Sequence, residues 1–205
     1  MNVILDNSYR IKYQNIIKSM TNLIPESMSR KIDRANVQQA WMVDNFIKVA
    51  DKKKLHLCVG CYEDTAYEYL CKIGYEIIGI DPVINESLET FVQKYPHSQF
   101  HTVFSTSVIE HVEDDEKFIA DMCQLITPGG YGLLTCDYNP NYPNVPKPFV
   151  DVRLYNNNDL ENRIFTLLQQ KEFAIYGEVD YNGNIDFEYE QCRYAFATIM
   201  FQRKE

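Results

Sequence analysis

Two short apolar runs, each closed by a residue suited to a tight turn, most constrain the fold. The first comprises Leu55, Leu57, Cys58 and Val59 and is interrupted by Gly60; the second, Ile77 to Ile80, ends at Asp81-Pro82. Between them Thr65 and Glu68 have the capping-box spacing, Ala66, Tyr67, Tyr69, Leu70 and Ile73 follow, and Gly74 stands where a helix C-terminal glycine belongs. Strand, helix and strand in this order predict parallel strands joined by a crossover.

The alternation continues downstream. Residues 85–94 are compatible with a helix ending before Pro96, and 100–107 are β-branched and aromatic, hence a strand. The acidic run 113–116 precedes the spaced apolar residues Phe118, Ile119, Met122, Leu125 and Ile126, which places its charges at a helix N-terminus. Pro128-Gly129-Gly130 should stop that helix, with a strand over 131–136. A helix over 158–171 and closing strands over 173–179 and 194–201 complete the pattern. Upstream, residues 9–20 and 35–50 read as amphipathic helices, including Trp41. The expectation is one α/β domain over 1–205. A Rossmann-like, doubly wound, mostly parallel sheet carries helices on both faces over 51–205, and 1–50 form a helical cap or lid.

Charge and cysteine usage narrow the function classes. Twenty Lys and Arg against 29 Asp and Glu leave a net charge of −9. That disfavours a protein whose affinity comes from neutralising nucleic-acid phosphates. No apolar run reaches the roughly 20 residues of a membrane span, and the N-terminal residues lack a secretory pattern, so the expected setting is cytoplasmic. Six irregularly spaced cysteines, in a chain much longer than disulfide-stapled domains, read as reduced thiols. Cys58 and Cys61 form a C-x-x-C with no second pair at metal-binding spacing, so no structural zinc is expected.

The segments KLHLCVGCYED, YEIIGIDP, FSTSVIEHV and LITPGGYGLLT, spanning residues 54–135, together resemble the class I S-adenosylmethionine-dependent methyltransferases. A glycine after the first strand with an acid ending the second is shared with dinucleotide-binding folds, whereas SVIEHV followed by Pro-Gly-Gly is more distinctive. The resemblance implies S-adenosylmethionine as cofactor, S-adenosylhomocysteine as product, and Val59, Gly60, Cys61, Tyr62, Asp81, Pro82, Ser105, Thr106 and Ser107 at the cofactor. Gly60 suits close backbone approach, amides at the following helix start can receive the cofactor carboxylate, and Asp81 can accept from both ribose hydroxyls.

Two departures from the family pattern stand out. Cys58, Tyr62 and Asp64 occupy places where the family's first motif has an acid and further glycines. Between Asp81 and Phe100 only one helix fits, so the strand that carries the family's adenine contact is missing or abbreviated. Some relatives hold a divalent metal through Glu-x-x-Glu-His; here Ser107 takes the first position, and no metal is expected.

His111 is the candidate general base, since an unperturbed imidazole titrates near pH ~6.5. Its commoner use in the family, with Glu110, is to orient the following helix. The proline-rich stretch 137–151 should lie at the ligand edge, where Tyr138, Tyr142 and Phe149 are candidates to line an acceptor pocket. These readings converge on methyl transfer to a small-molecule or sugar acceptor, with no nucleic-acid or membrane partner. Three alternatives remain: a non-catalytic protein of the same fold binding a nucleoside-containing ligand or a protein, a thiol oxidoreductase built on Cys58 and Cys61, and a nicotinamide enzyme, which the missing G-x-G-x-x-G disfavours. Oligomeric state is left open.

Overall fold

A computed structural model describes residues 1–148 and 152–205. Its centre is a sheet whose parallel strands follow the expected order: β2 (His56–Val59), β3 (Ile77–Ile80), β4 (Phe100–Thr106) and β5 (Ile126–Tyr138). They are joined by α4 (Thr65–Lys72), α5 (Leu88–Lys94) and α6 (Asp115–Gln124). β2 lies between β3 and β4, and β5 follows β4, so β3 is an edge strand. Only α5 separates β3 from β4, in agreement with the single helix expected there.

Local capping explains the helix starts. Asp64, not Thr65, is the N-cap of α4; it accepts from the Tyr67 amide at 2.7 Å, which moves the expected cap back by one residue. Glu68 is instead bound by the Ser27 hydroxyl. Asp114 caps α6 through the Lys117 amide, so the acidic run does occupy a helix N-terminus. α6 ends at Gln124, and Pro128-Gly129-Gly130 lie within β5, where the pairing with β4 slips between Phe100 and Thr102. The Pro-Gly-Gly is therefore a bulge that re-registers the strand rather than a helix stop.

The two ends of the chain depart most from the expected pattern. Residues 2–5, read as part of a helical region, form β1 (Asn2–Leu5), antiparallel to the long β9 (Cys192–Arg203). The strand is fully buried and only four residues long, too short for a period to register. The Val3 amide donates to Thr198 Oγ1 at 2.8 Å, and Asn2 Oδ1 accepts from the Met200 amide at 2.6 Å. β9 runs antiparallel to β5 as well. The closing strand expected over 173–179 is divided into β6 (Phe173–Ile175), paired with β9, and β7 (Val179–Asp180), paired with β1. A short β8 (Phe187–Tyr189) also pairs with β9. The helix expected over 158–171 is a π-helical turn, Asn158–Ile164, continued by α7 (Phe165–Gln170).

Both faces of the sheet are covered. On one side α1 (Asn7–Leu23), α3 (Asn36–Val49) and α4 bury Tyr13, Met20, Trp41, Phe46 and Leu70. On the other, α5, α6 and α7 bury Phe91, Ile119, Met122 and Leu168. At about 25 cal/mol per Å² of apolar surface removed from water, these two layers supply the main stabilisation. A short α2 (Pro25–Ser29) and a 3-10 turn, Asp33–Ala35, connect α1 to α3 across the carboxyl ends of the parallel strands. No helix among the described residues is long and apolar enough to cross a membrane.

Candidate active site

Two cavities open at the carboxyl ends of β2, β3 and β4, the edge where open α/β sheets bind ligands. The first, about 790 Å³, is walled by Val59, Ile80, Pro82, Leu88, Val112, Glu113, Asp114 and Phe118. The second, about 490 Å³, is walled by Arg30, Lys31, Asn36, Gln38, Gln39, Tyr62, Asp64, Thr106, Ser107 and His111. Gly60, Asp81 and Val108 line both, so the two are lobes of one cleft that narrows at these residues.

Gly60 has a φ of +82°, and a Cβ there would fall 2.3 Å from Val108 Cγ2. The glycine is thus required by backbone conformation and by the close approach of Val108. Asp81 holds the loops on both sides of itself. Its Oδ1 accepts from the Val83 amide at 2.8 Å, its Oδ2 from the Tyr62 amide at 3.3 Å, and its own amide donates to Asn85 Oδ1 at 2.9 Å.

Several of the amides at the helix start expected to face a carboxylate are already bonded within the protein. Gly60 and Cys61 both donate to the Ile80 carbonyl, Ala66 donates to Gln39 Oε1, and Tyr67 donates to Asp64. Positive charge in this lobe comes instead from Arg30 and Lys31. Arg30 lies 3.3 Å from Glu63 and is exposed.

Two of the expected cofactor residues turn away from the cleft. Ser105 is buried and donates to the Val59 carbonyl at 2.8 Å, tying β4 to β2. Cys61 Sγ packs beneath β3, where a Cβ on Gly79 would meet it at 2.8 Å. Val59, Gly60, Tyr62, Asp81, Pro82, Thr106, Ser107 and His111 do line the cleft. Of the aromatic residues expected near an acceptor, Tyr138 is buried and donates to Asn157, Tyr142 borders a smaller cavity with Lys147 and Arg153, and Phe149 lies outside the described residues.

α3 supplies residues that the sequence reading passed over. Gln38 Oε1 accepts from Ser107 Oγ at 2.6 Å and from Thr135 Oγ1 at 2.9 Å, which fixes Ser107 in a left-handed backbone with φ +51°. The available signal was the polar group Asn36, Gln38 and Gln39 within a helix whose other residues are largely apolar and buried. Asn36 Oδ1, Asp64 Oδ2 and Thr106 Oγ1 are buried and lack a hydrogen-bond partner. Burial pushes the Asp64 carboxyl up to about 6, against the pull of the Tyr67 amide and of the Thr106 hydroxyl, which lies beside it without reaching bonding geometry.

Behind His111, burial raises the pKa of both Glu110 and Asp137, and the charge of Glu110 raises Asp137 further. Neither Glu110 oxygen has a hydrogen-bond partner. Burial and mutual repulsion oppose joint ionisation of the two carboxyls, so the pair releases its protons at higher pH than ordinary carboxylates do. Among the described residues no group of three His, Cys, Asp or Glu side chains is placed to hold a metal ion.

The cysteine pair has the opposite character to a redox thiol. Burial pushes Cys61 up to about 11 and Cys58, fully enclosed in β2, well above the ordinary thiol range. Reactive thiols need the reverse shift.

Residues 31–175 match the methyltransferase domain family Methyltransf_23. The chain belongs to that family. One curated relative of this methyltransferase domain, the human mitochondrial ubiquinone biosynthesis O-methyltransferase, is 31% identical across 38% of this chain and 27% of its own length. A monkeypox virus ankyrin repeat protein, OPG025, is 38% identical across 38% of this chain and 10% of its own length. The chain thus spans about a quarter or less of these relatives. Among solved structures, a Burkholderia thailandensis 1,6-didemethyltoxoflavin-N1-methyltransferase, with 1,6-didemethyltoxoflavin and S-adenosylhomocysteine bound, superposes with a TM-score of 0.58 at 10% identity, covering 97% of this chain and 89% of that one. A Galdieria sulphuraria protein described as a sarcosine dimethylglycine methyltransferase gives 0.58 at 12% identity, covering 97% and 99%. At such identities the superpositions establish the shared fold.

Proposed function

We propose that this methyltransferase domain transfers a methyl group from S-adenosylmethionine to a small polar acceptor, sugars included. The observation that carries the reading is the two-lobed cleft narrowing at Gly60, Asp81 and Val108. Its first lobe offers Val59, Ile80, Pro82 and Leu88 to a flat apolar base. Asp81 stands at the junction, and each of its oxygens keeps a lone pair for a ribose hydroxyl beyond the amide it already accepts. The second lobe suits an amino-acid group: Arg30 and Lys31 offer positive charge, and the unpartnered acceptors on Asn36, Asp64 and Thr106 suit a donor such as an ammonium.

The bound cofactor supplies an activated methyl on a sulfonium. The chain's own residues align the acceptor, exclude water and manage its proton. His111, on the wall of the second lobe, is assigned to accept a proton from the acceptor, with the Glu110–Asp137 pair behind it. The net charge of −9 supports a small acceptor over a nucleic acid.

A non-catalytic reading is favoured by one observation: the amides of Gly60, Cys61, Ala66 and Tyr67, in the loop before α4 and at its start, are already bonded within the protein. Calorimetric titration with S-adenosylmethionine and S-adenosylhomocysteine tests both. Micromolar binding of both ligands supports the enzyme, and no binding at millimolar ligand leaves the non-catalytic reading.

A further inference from the structure

Two residues of the connection that follows β5 hold the carbonyls of Ile109, Glu110, Val112 and Glu113, in the segment 108–114 that walls the cleft. The Tyr155 hydroxyl donates to the Ile109 carbonyl at 3.3 Å and the Arg153 amide to the Glu110 carbonyl at 3.0 Å. Arg153 Nη2 donates to the carbonyls of Val112 and Glu113 at 2.8 and 2.6 Å. Both side chains then meet at Asp115, the first residue of α6, which is 4% exposed. Its carboxylate lies 2.9 Å from the Tyr155 hydroxyl, 3.0 Å from Arg153 Nη1 and 2.8 Å from each terminal nitrogen of Arg163.

The connection is fastened in turn to the sheet. The Tyr155 amide donates to the Asp137 carbonyl, and its own carbonyl accepts from the Asn139 amide, both at 2.8 Å. The segment so held has little regular structure of its own: a single 3-10 turn, Ile109–His111, with the His111 amide on the Val108 carbonyl. Its shape therefore depends on donors supplied from outside. Its side chains are the ones the cleft uses, with Val112 and Glu113 in the first lobe and His111 in the second.

We propose that Arg153 is a positioning residue: from the connection between β5 and α7 it sets the shape of the cofactor-cleft wall over residues 108–114. Ligand affinity in the cleft then depends on how that connection is arranged, although Arg153 itself lines neither lobe. The proposal rests on the cofactor reading above. A guanidinium is needed because one planar group must reach two carbonyls and a carboxylate together, which the single nitrogen of a lysine does not do.

The experiment is calorimetric titration of S-adenosylhomocysteine into the wild-type protein, Arg153→Lys and Arg153→Ala, with hydrogen exchange of peptides covering 108–114. Arg153→Lys keeps the charge and should fold; it is expected to lose about tenfold in affinity and to exchange faster over 108–114. Millimolar methylguanidine is expected to restore affinity to Arg153→Ala, a recovery that mere loss of packing elsewhere would not give. Wild-type affinity and exchange in Arg153→Lys overturn the proposal. If the wild-type protein itself binds no S-adenosylhomocysteine, the cofactor reading fails, and exchange that is unchanged in Arg153→Lys shows separately that the clasp does not shape the wall.

Discussion

Val108 Cγ2 occupies the space that a Cβ on Gly60 would need, 2.3 Å from it, so β2 and the segment after β4 meet through a contact open only to glycine. Gly60→Ala is therefore expected to destabilise the fold by about 2–4 kcal/mol, combining overpacking with a side chain at positive φ. Val108→Ala in the Gly60→Ala background should recover the packing part and leave the backbone part. Urea denaturation of the four proteins measures both; additive effects of the two substitutions would dismiss the contact.

Asp81 and Asp64 are expected to respond differently to different parts of one ligand. Asp81→Ala should weaken S-adenosylhomocysteine and 5′-methylthioadenosine alike, by about tenfold or more, since both carry the ribose. Asp64→Asn should weaken S-adenosylhomocysteine alone, because 5′-methylthioadenosine lacks the amino-acid group. Equal losses for both ligands in Asp64→Asn would place that carboxylate outside the amino-acid subsite.

The buried pair Glu110 and Asp137 makes a prediction about pH. Both folded-state pKa values lie above the ordinary carboxylate range, so the folded protein holds protons that the unfolded chain has released. Stability from the protonated acids is complete below about pH 4 and is lost as pH rises through the folded values. Glu110→Gln should thus raise stability at pH 8 by on the order of 2 kcal/mol, seen as a higher melting temperature, and change little at pH 4. His56 acts in the opposite sense: burial lowers it to about 4, so it costs stability as pH falls below its unfolded value. A Glu110→Gln melting profile parallel to wild type at all pH values would contradict the protonated pair.

Arg163 meets Asp115 with two nitrogens at 2.8 Å and also lies 3.3 Å from Glu116. Its loss leaves Asp115 with Arg153 and Tyr155, so Arg163→Ala should lower stability by about 1–2 kcal/mol and raise the Asp115 pKa, now held below the usual carboxylate range. Acid denaturation beginning at higher pH in the variant is the measurable sign; an unchanged acid limb would show that Asp115 does not depend on Arg163.

The parallel half of the sheet was legible because its strands read as near-continuous apolar runs, buried throughout in β2 and mostly so in β4, each punctuated by Gly60, Asp81-Pro82 or a capped helix. The same runs placed Gly60, Asp81 and Thr106 at the cleft. The parts that escaped depend on contacts distant in sequence. Nothing in Asn2–Leu5 distinguishes a strand from the start of a helix until β9 is there to pair with it. Ser105 and Ser107, two apart and so on one face of a continuous strand, have different fates because β4 ends at Thr106 and Ser107 turns into a left-handed backbone: Ser105 bonds to β2, and Ser107 reaches α3. The role of Gln38 is visible only when α3 is laid across the strand ends, and that of Arg153 only when its guanidinium is seen against the carbonyls of Val112 and Glu113.

The pairing of Ile4 with Ala197 has a consequence for how the molecule is made. A ribosome releases residues 2–5 long before it has synthesised 192–203, so β1 cannot pair with β9 until all of the chain between them has been made. Sheet closure is then a late, slow, long-range event, during which Val3, Ile4 and Leu5 remain available to chaperones or to the strand edge of another nascent copy.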